Sequence, residues 1–197
     1  MKCFADTNEL MRFARTFLDE RLESLQRDVA LCLSGTHAPF PALLYFFSTV
    51  DMLGALMAGN ASRSAPTPKQ SKEYMRRFMY YSADQCDLLL VIFRHKIVHL
   101  AQPSPIVEHN GRRLSWGCWH DDRAHHLQLI SLPPGAQRQI TSILSQSWTH
   151  RFEVSITHLV KDLVDSVYRP EGYLHSLSKN ADLQDKFDTA IKQIHEP

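Results

Sequence analysis

The amino-acid sequence predicts a mainly α-helical bundle with a small β-hairpin or three-stranded insert. Three observations carry that expectation. Apolar residues recur at three- and four-residue steps through most of the chain, the stretch FPALLYFFSTVDMLGALMAG is apolar on nearly every side, and the period shortens to two around Asn110-Gly111. With 197 residues, 44% of them hydrophobic, the chain is long enough for one sizeable core. It is read as one helical domain over 1–197, with the β insert at about 105–132 and a C-terminal helical extension at about 171–197.

A first helix is expected from Ala5 to Ser34, capped by Asp6 or Thr7, because Leu10, Phe13, Phe17, Leu18, Leu22 and Leu25 share a face and Gly35 follows. Its amphipathic pattern makes it an outer helix. After the break THAPFP comes a second helix, from Pro41 to Ala58, stopped at Gly59-Asn60. Asp51 falls near the middle of its apolar run, where a charge costs about 2.5–3.5 kcal/mol in a bilayer, so it is read as a buried core helix and no membrane partner is expected. NASRSAPTPKQ is a Ser/Pro-rich linker. A short helix, SKEYMRRFMYYSA, follows with Ser71 as its cap. A longer one, DQCDLLLVIFRHKIVHLAQ, is capped by Asp84 and stopped by Pro103 and Pro105.

At Pro105 the period changes. PIVEH and RRLSW flank Asn-Gly, which favours a hairpin, and HHLQLISL supplies a third strand. From Ala136 the helical period returns, with Ile140, Ile143, Trp148, Phe152, Ile156 and Leu159 among the residues predicting a helix of roughly 30 residues that Pro170 ends. A turn at EGYLHSLS and a final helix near Asp182 to Ile194 complete the chain.

The formal net charge is +1, so the chain is not a polycation built to coat nucleic acid. The positive charge is concentrated in residues 63–113, which hold 9 basic against 4 acidic residues. That balance suits an anionic ligand and equally suits an uneven solvated surface. Cys3, Cys32, Cys86 and Cys118 form no C-x-x-C pair, and MKCFADTNELMRF lacks the apolar core of a signal peptide, so a reducing, cytoplasmic setting is expected.

The segment FRHKIVHLAQP ends an otherwise apolar run with Arg94, His95, Lys96 and His99. On a regular helix at about 100° per residue, Asp87, Arg94, His95 and His99 share one side, opposite Leu90, Phe93, Ile97 and Ala101. Structural explanations are available: cations near a helix C-terminus gain about 0.3–1 kcal/mol each, histidines occur satisfied in cores, and Arg94 can pair with Asp87 or Asp51. A functional explanation starts from chemistry. Metal-free RNA cleavage needs a base for the 2′-OH proton, an acid for the 5′-oxygen and a cation for the phosphorane. His99 suits the proton roles and Arg94 the phosphate clamp.

RHKIVH, in the context of 39–104 and the helix expected after 136, resembles the R-x4-H motif of HEPN domains, with His95 at the polar position after the arginine. The resemblance implies an all-helical module, typically a homodimer, with a composite site at the dimer interface. Many such domains are metal-independent endoribonucleases of toxin–antitoxin, phage-defence or RNA-processing systems. It therefore implies Arg94 and His99 as catalytic residues, His95 and Lys96 in supporting or substrate-binding roles, and Ser48 and Asp51 as contributors from the preceding helix. RNA would be the substrate, the product a 2′,3′-cyclic phosphate, and no cofactor or metal is called for; an antitoxin is a further partner the resemblance allows. The insert PIVEHNGRRLSWGCWHDDRAHHLQLISL departs from a minimal bundle of this kind. Other HEPN domains are non-catalytic and serve for dimerisation or for nucleotide or protein binding. A polar stripe open to solvent at a dimer cleft favours the nuclease, whereas an Arg94 locked in an ion pair with Asp51 or Asp87 favours the binding module.

Two further groups stand out. CWHDDRAHH gathers metal-capable side chains without an established zinc spacing, and would support at most a metal-assisted hydrolase. Arg112, Arg113, Trp116, Trp119 and Arg123 mix cations with aromatics, as RNA surfaces do, although hairpin packing explains the tryptophans as well.

Overall fold

Asp6 opens the first helix, α1 (Thr7–Leu33), by accepting the Glu9 N–H at 2.9 Å, which satisfies one of the donors that every helix start leaves unpaired. Leu10, Ala14, Leu18, Leu22, Leu25 and Val29 form its buried stripe. The computed structural model describes residues 3–34, 38–100, 103, 107–121, 125–133 and 148–195, excepting the side chains of residues 98–100. Gly35, Ala101 and Arg123, and the expected helix from 136 to 147, lie outside the described residues.

The second helix, α2 (Pro39–Ala58), is terminated by Gly59 in the left-handed conformation at φ 74°, where a side chain would be strained. It is long and apolar enough to cross a membrane. Its apolar faces here pack against α1, a third helix α3 (Thr67–Phe78), and the two later helices α6 (Ile156–Tyr168) and α8 (Ala181–His195). Gly54 sets the approach of α2 to α3. A Cβ at that position would lie 2.8 Å from the Gln70 carbonyl carbon and 2.9 Å from the Ser71 nitrogen.

Two caps differ from expectation. Helix α3 begins at Thr67, with a proline in its first turn, so Ser71 sits inside the helix, its hydroxyl oxygen 2.8 Å from the Thr67 carbonyl oxygen. The cap of α4 (Ala83–Leu89) is Ser82, not Asp84: Ser82 and Gln85 exchange side-chain and backbone hydrogen bonds in a capping box. After α4 the chain makes a π-helical turn (Leu90–Arg94), closed by the His95 N–H bonding to the Leu90 carbonyl, and continues as α5 (His95–Leu100).

The sheet has four strands, not two or three. Strands β1 (Val107–His109) and β2 (Arg112–Trp119) form the expected hairpin, with Asn110 and Gly111 both at positive φ. Strand β3 (Gln128–Ser131) is also where the sequence placed it, but β4 (His150–Ser155) lies between it and β2, giving the order β1-β2-β4-β3. The β2–β4 pair is parallel and the β3–β4 pair antiparallel. Residues 150–155 were expected to be helical because Trp148, Phe152 and Ile156 recur every four residues. A four-residue step is also two periods of a strand, so the pattern does not discriminate. The helix α6 starts only at Ile156, capped by Ser155, and the segment after Pro170 forms a short helix, α7 (Tyr173–Lys179), where a turn was expected.

One continuous core joins the helices and the sheet. Trp116 of β2 meets Phe40 of α2 and Phe93 of the π turn edge-on, with ring centroids 6.2 and 5.6 Å apart, so the sheet buttresses the segment carrying Arg94. Packing of the sheet on α2 and the π turn, not within the hairpin, thus accounts for this tryptophan.

A second junction is polar. Asp162 of α6 accepts the Tyr81 hydroxyl at 2.7 Å and lies 3.5 Å from His126 Nε2, whose ring stacks on His158. Burial pushes the Asp162 carboxyl up, but the adjoining His126 ring, the Tyr81 hydroxyl bond and His158 outweigh it and hold the carboxyl below its ordinary range. A carboxyl depressed by folding adds stability above its unfolded value, and that stability fades as pH falls through the folded one. Between about pH 5 and pH 2 the melting temperature of the wild type should therefore fall more steeply than that of Asp162→Asn. Parallel curves would show that this carboxylate is not engaged.

Candidate functional site

A π turn spends one more residue per turn than an α-helix, so it rotates the residues after it by about 100° relative to a regular helix. That rotation separates the residues that a regular wheel places together. Asp87, before the turn, bonds Lys72 of α3 at 2.5 Å, while Arg94, at its end, faces α2.

There Arg94 meets Asp51 side-on. Its Nε donates to both carboxylate oxygens at 2.9 and 3.1 Å, and its terminal NH2 donates to Oδ2 at 2.8 Å. The Arg94 and Asp51 side chains are only 13% and 20% exposed, and Asp51 Oδ1 also accepts the Ser71 hydroxyl at 2.5 Å. Asp51, Ser71 and Arg94 thus join α2, α3 and the π turn around one neutral ion pair. The pairing brings together residues 43 positions apart in the chain.

Of the other expected site residues, Ser48 is one turn before Asp51 on α2, exposed, with its hydroxyl donated to the Tyr45 carbonyl at 2.9 Å. His95 is exposed and Lys96 half-buried on the first turn of α5. His99 belongs to α5, and its side chain lies outside the described residues. As site residues, Ser71, read only as a helix cap, and Lys72 escaped the sequence reading, because nothing in their spacing ties them to Asp51 or Asp87. They meet only when α3 folds against its neighbours.

Asp51 also lines a groove of about 420 Å³. Its walls include Phe17 of α1, Tyr45 and Met52 of α2, and the segment from Asn60 to Ala65. Gln70 of α3 lies in it, 6% exposed, with Nε2 bonded to the Asn60 carbonyl at 3.1 Å and Oε1 without a hydrogen-bond partner. A buried acceptor left unpaired costs about 1–3 kcal/mol.

The insert arranges its polar residues differently. His126 Nδ1 accepts the Ser155 N–H at 3.0 Å, and the Trp119 indole N–H and the Arg151 guanidinium both donate to the buried Glu153. Those contacts tie the insert to β4. Among the described residues no group of three or more His, Cys, Asp or Glu side chains is placed to hold a metal ion.

Fold and site together define the class: a mainly α-helical protein with a small four-stranded mixed sheet, in which a π turn delivers an arginine to a carboxylate of the central helix. No protein-family model, no curated protein and no solved structure matches the chain.

Proposed function

We propose that the chain is a non-catalytic, HEPN-like helical module that binds a nucleotide or protein partner, with Arg94 serving as an internal clamp. The observation that carries this reading is the side-on Arg94–Asp51 pair. A phosphorane is stabilised by charge that nothing else has neutralised, and Arg94 shares its charge with Asp51. Stripping a partner from a pair this buried costs about 3–5 kcal/mol, more than the roughly 1.5–3 kcal/mol that one charge-assisted hydrogen bond to phosphate returns. The clamp therefore wins over release.

A second reading keeps the motif catalytic. In it the chain is a cytoplasmic homodimeric endoribonuclease with a composite interface site, Arg94 and His99 acting on RNA, and His95, Lys96, Ser48 and Asp51 supporting them. An antitoxin partner belongs to this reading. Its supporting observation is that Asp51, from the preceding helix as the resemblance implies, stands directly on Arg94.

Incubating wild type, Arg94→Ala and His99→Ala with labelled structured and unstructured RNAs in excess EDTA separates the two. The binding module predicts no cleavage by any of the three proteins, each verified as folded by circular dichroism. Cyclic-phosphate ends from the wild type, reduced at least roughly a hundredfold in both variants, would establish the nuclease and overturn the module.

A further inference from the structure

We infer that the groove between α1, α2 and α3 binds a straight-chain fatty carboxylate, with the acyl chain along α2 and the head group at Arg21. This ligand goes beyond the module reading and does not depend on it.

The polar side chains of the lining are mostly committed to the protein itself. Ser48 and Thr49 both donate their hydroxyl protons to the Tyr45 carbonyl at 2.9 Å, and the Thr67 hydroxyl bonds the Ala65 carbonyl. Asp51 accepts from Arg94 and Ser71, so its negative charge is already balanced. A cationic ligand would therefore meet no free carboxylate there. What the groove offers instead is apolar surface from Phe17, Tyr45, Met52, Ala55, Ala61 and Ile194. Ile194, near the end of α8, is 42% exposed, and covering such surface is favourable.

Shape and charge narrow the ligand further. Tyr45, Ser48, Met52 and Ala55 recur every three or four residues, so the groove follows one face of α2 for about three turns, roughly 15 Å. An extended chain matches that length, and the volume of about 420 Å³ falls in the lower part of the range usual for small-molecule sites. Among the described residues that line it, only Arg21 and Asp51 are charged. The Arg21 guanidinium lies 5.4 Å from the centre of the Phe17 ring, is exposed, and makes no ion pair among the described residues. Its acidic neighbour Asp19 is engaged by Tyr168 of α6 instead. One free cation beside an apolar trough matches one carboxylate on an apolar chain. A second apolar groove, between α1 and α6, is lined by Ala30 and Val164 but carries both Lys161 and Asp165, so its charge selects no head group.

Calorimetric titration of the full chain with sodium dodecanoate, kept below its micelle concentration, tests this. Dodecanoate should bind saturably with a Kd on the order of 10 μM. Decanoate should bind at least about tenfold more weakly, since each buried methylene is worth roughly fourfold in affinity. Dodecyltrimethylammonium should bind at least about fivefold more weakly than dodecanoate, and Arg21→Ala should cost dodecanoate about fivefold. Methyl NMR of the wild type locates the ligand independently of any variant. Signals of Met52, Ala61 and Ala65 should shift, whereas those of Ala30 and Val164 in the second groove and of the exposed Leu31 should not. The proposal is overturned by absence of dodecanoate binding up to about 1 mM, by equal affinity for decanoate, by a preference for the ammonium, by unchanged affinity in folded Arg21→Ala, or by shifts at Ala30, Val164 or Leu31 in place of the groove. Absence of dodecanoate binding leaves the module reading standing, whereas RNA cleavage in EDTA removes that reading whatever the titration shows.

Discussion

Arg94→Ala lowers the unfolding free energy by about 3 kcal/mol, because it leaves the Asp51 carboxylate four-fifths buried with only the Ser71 hydroxyl to hold it. For a chain of this length the melting temperature should fall by roughly 6–12 °C. The double variant Arg94→Met with Asp51→Leu should recover at least half of that loss, since removing both charges removes the desolvation cost as well as the attraction. Urea unfolding of the two single variants and the double gives the coupling directly. A loss below about 1 kcal/mol in Arg94→Ala would be the behaviour of a solvated surface pair and would deprive the clamp of its basis.

Gly54→Ala is the second large effect, and its sign opposes helix propensity. Within an exposed helix, alanine in place of glycine gains about 1 kcal/mol. At Gly54 the added Cβ meets backbone atoms of Gln70 and Ser71 at 2.8–2.9 Å, and backbone in the first turns of a packed helix has little room to retreat. Overpacking of this kind costs about 1–3 kcal/mol and occasionally more, so a net loss of about 2 kcal/mol is expected. Because the same contact positions Ser71 on Asp51, the substitution should also weaken the Arg94 clamp. A denaturation midpoint at or above that of wild type would show that α3 moves away at little cost.

The elements whose signals are local were legible in the sequence. The buried stripe of α1 and its Asp6 cap, the Gly59 stop of α2, and the Asn110-Gly111 hairpin each depend on residues within a few positions of one another. Asp51 and Arg94 were both selected from the sequence, as alternative partners and as candidate site residues. What failed there had non-local causes. The β4 segment carries a four-residue repeat that helix and strand share, and it becomes a strand because β2 and β3 flank it. The capping box at Ser82 displaced Asp84 because a reciprocal pair of bonds satisfies more of the helix start than one carboxylate does.

The residue types at the site, an arginine ending an apolar run and a lone aspartate inside a central helix, follow from the sequence alone, since hydropathy leaves those charges nowhere else to be. Their relation to each other does not. The π turn rotates Arg94 away from Asp87 and onto α2, the absent side chain of Gly54 lets α3 bring Ser71 and Gln70 close to that helix, and these two displacements set the ion pair beside the groove. Both depend on a change of a fraction of a helical turn or of an ångström between elements. Periodicity in one dimension does not carry that information, and packing in three dimensions does.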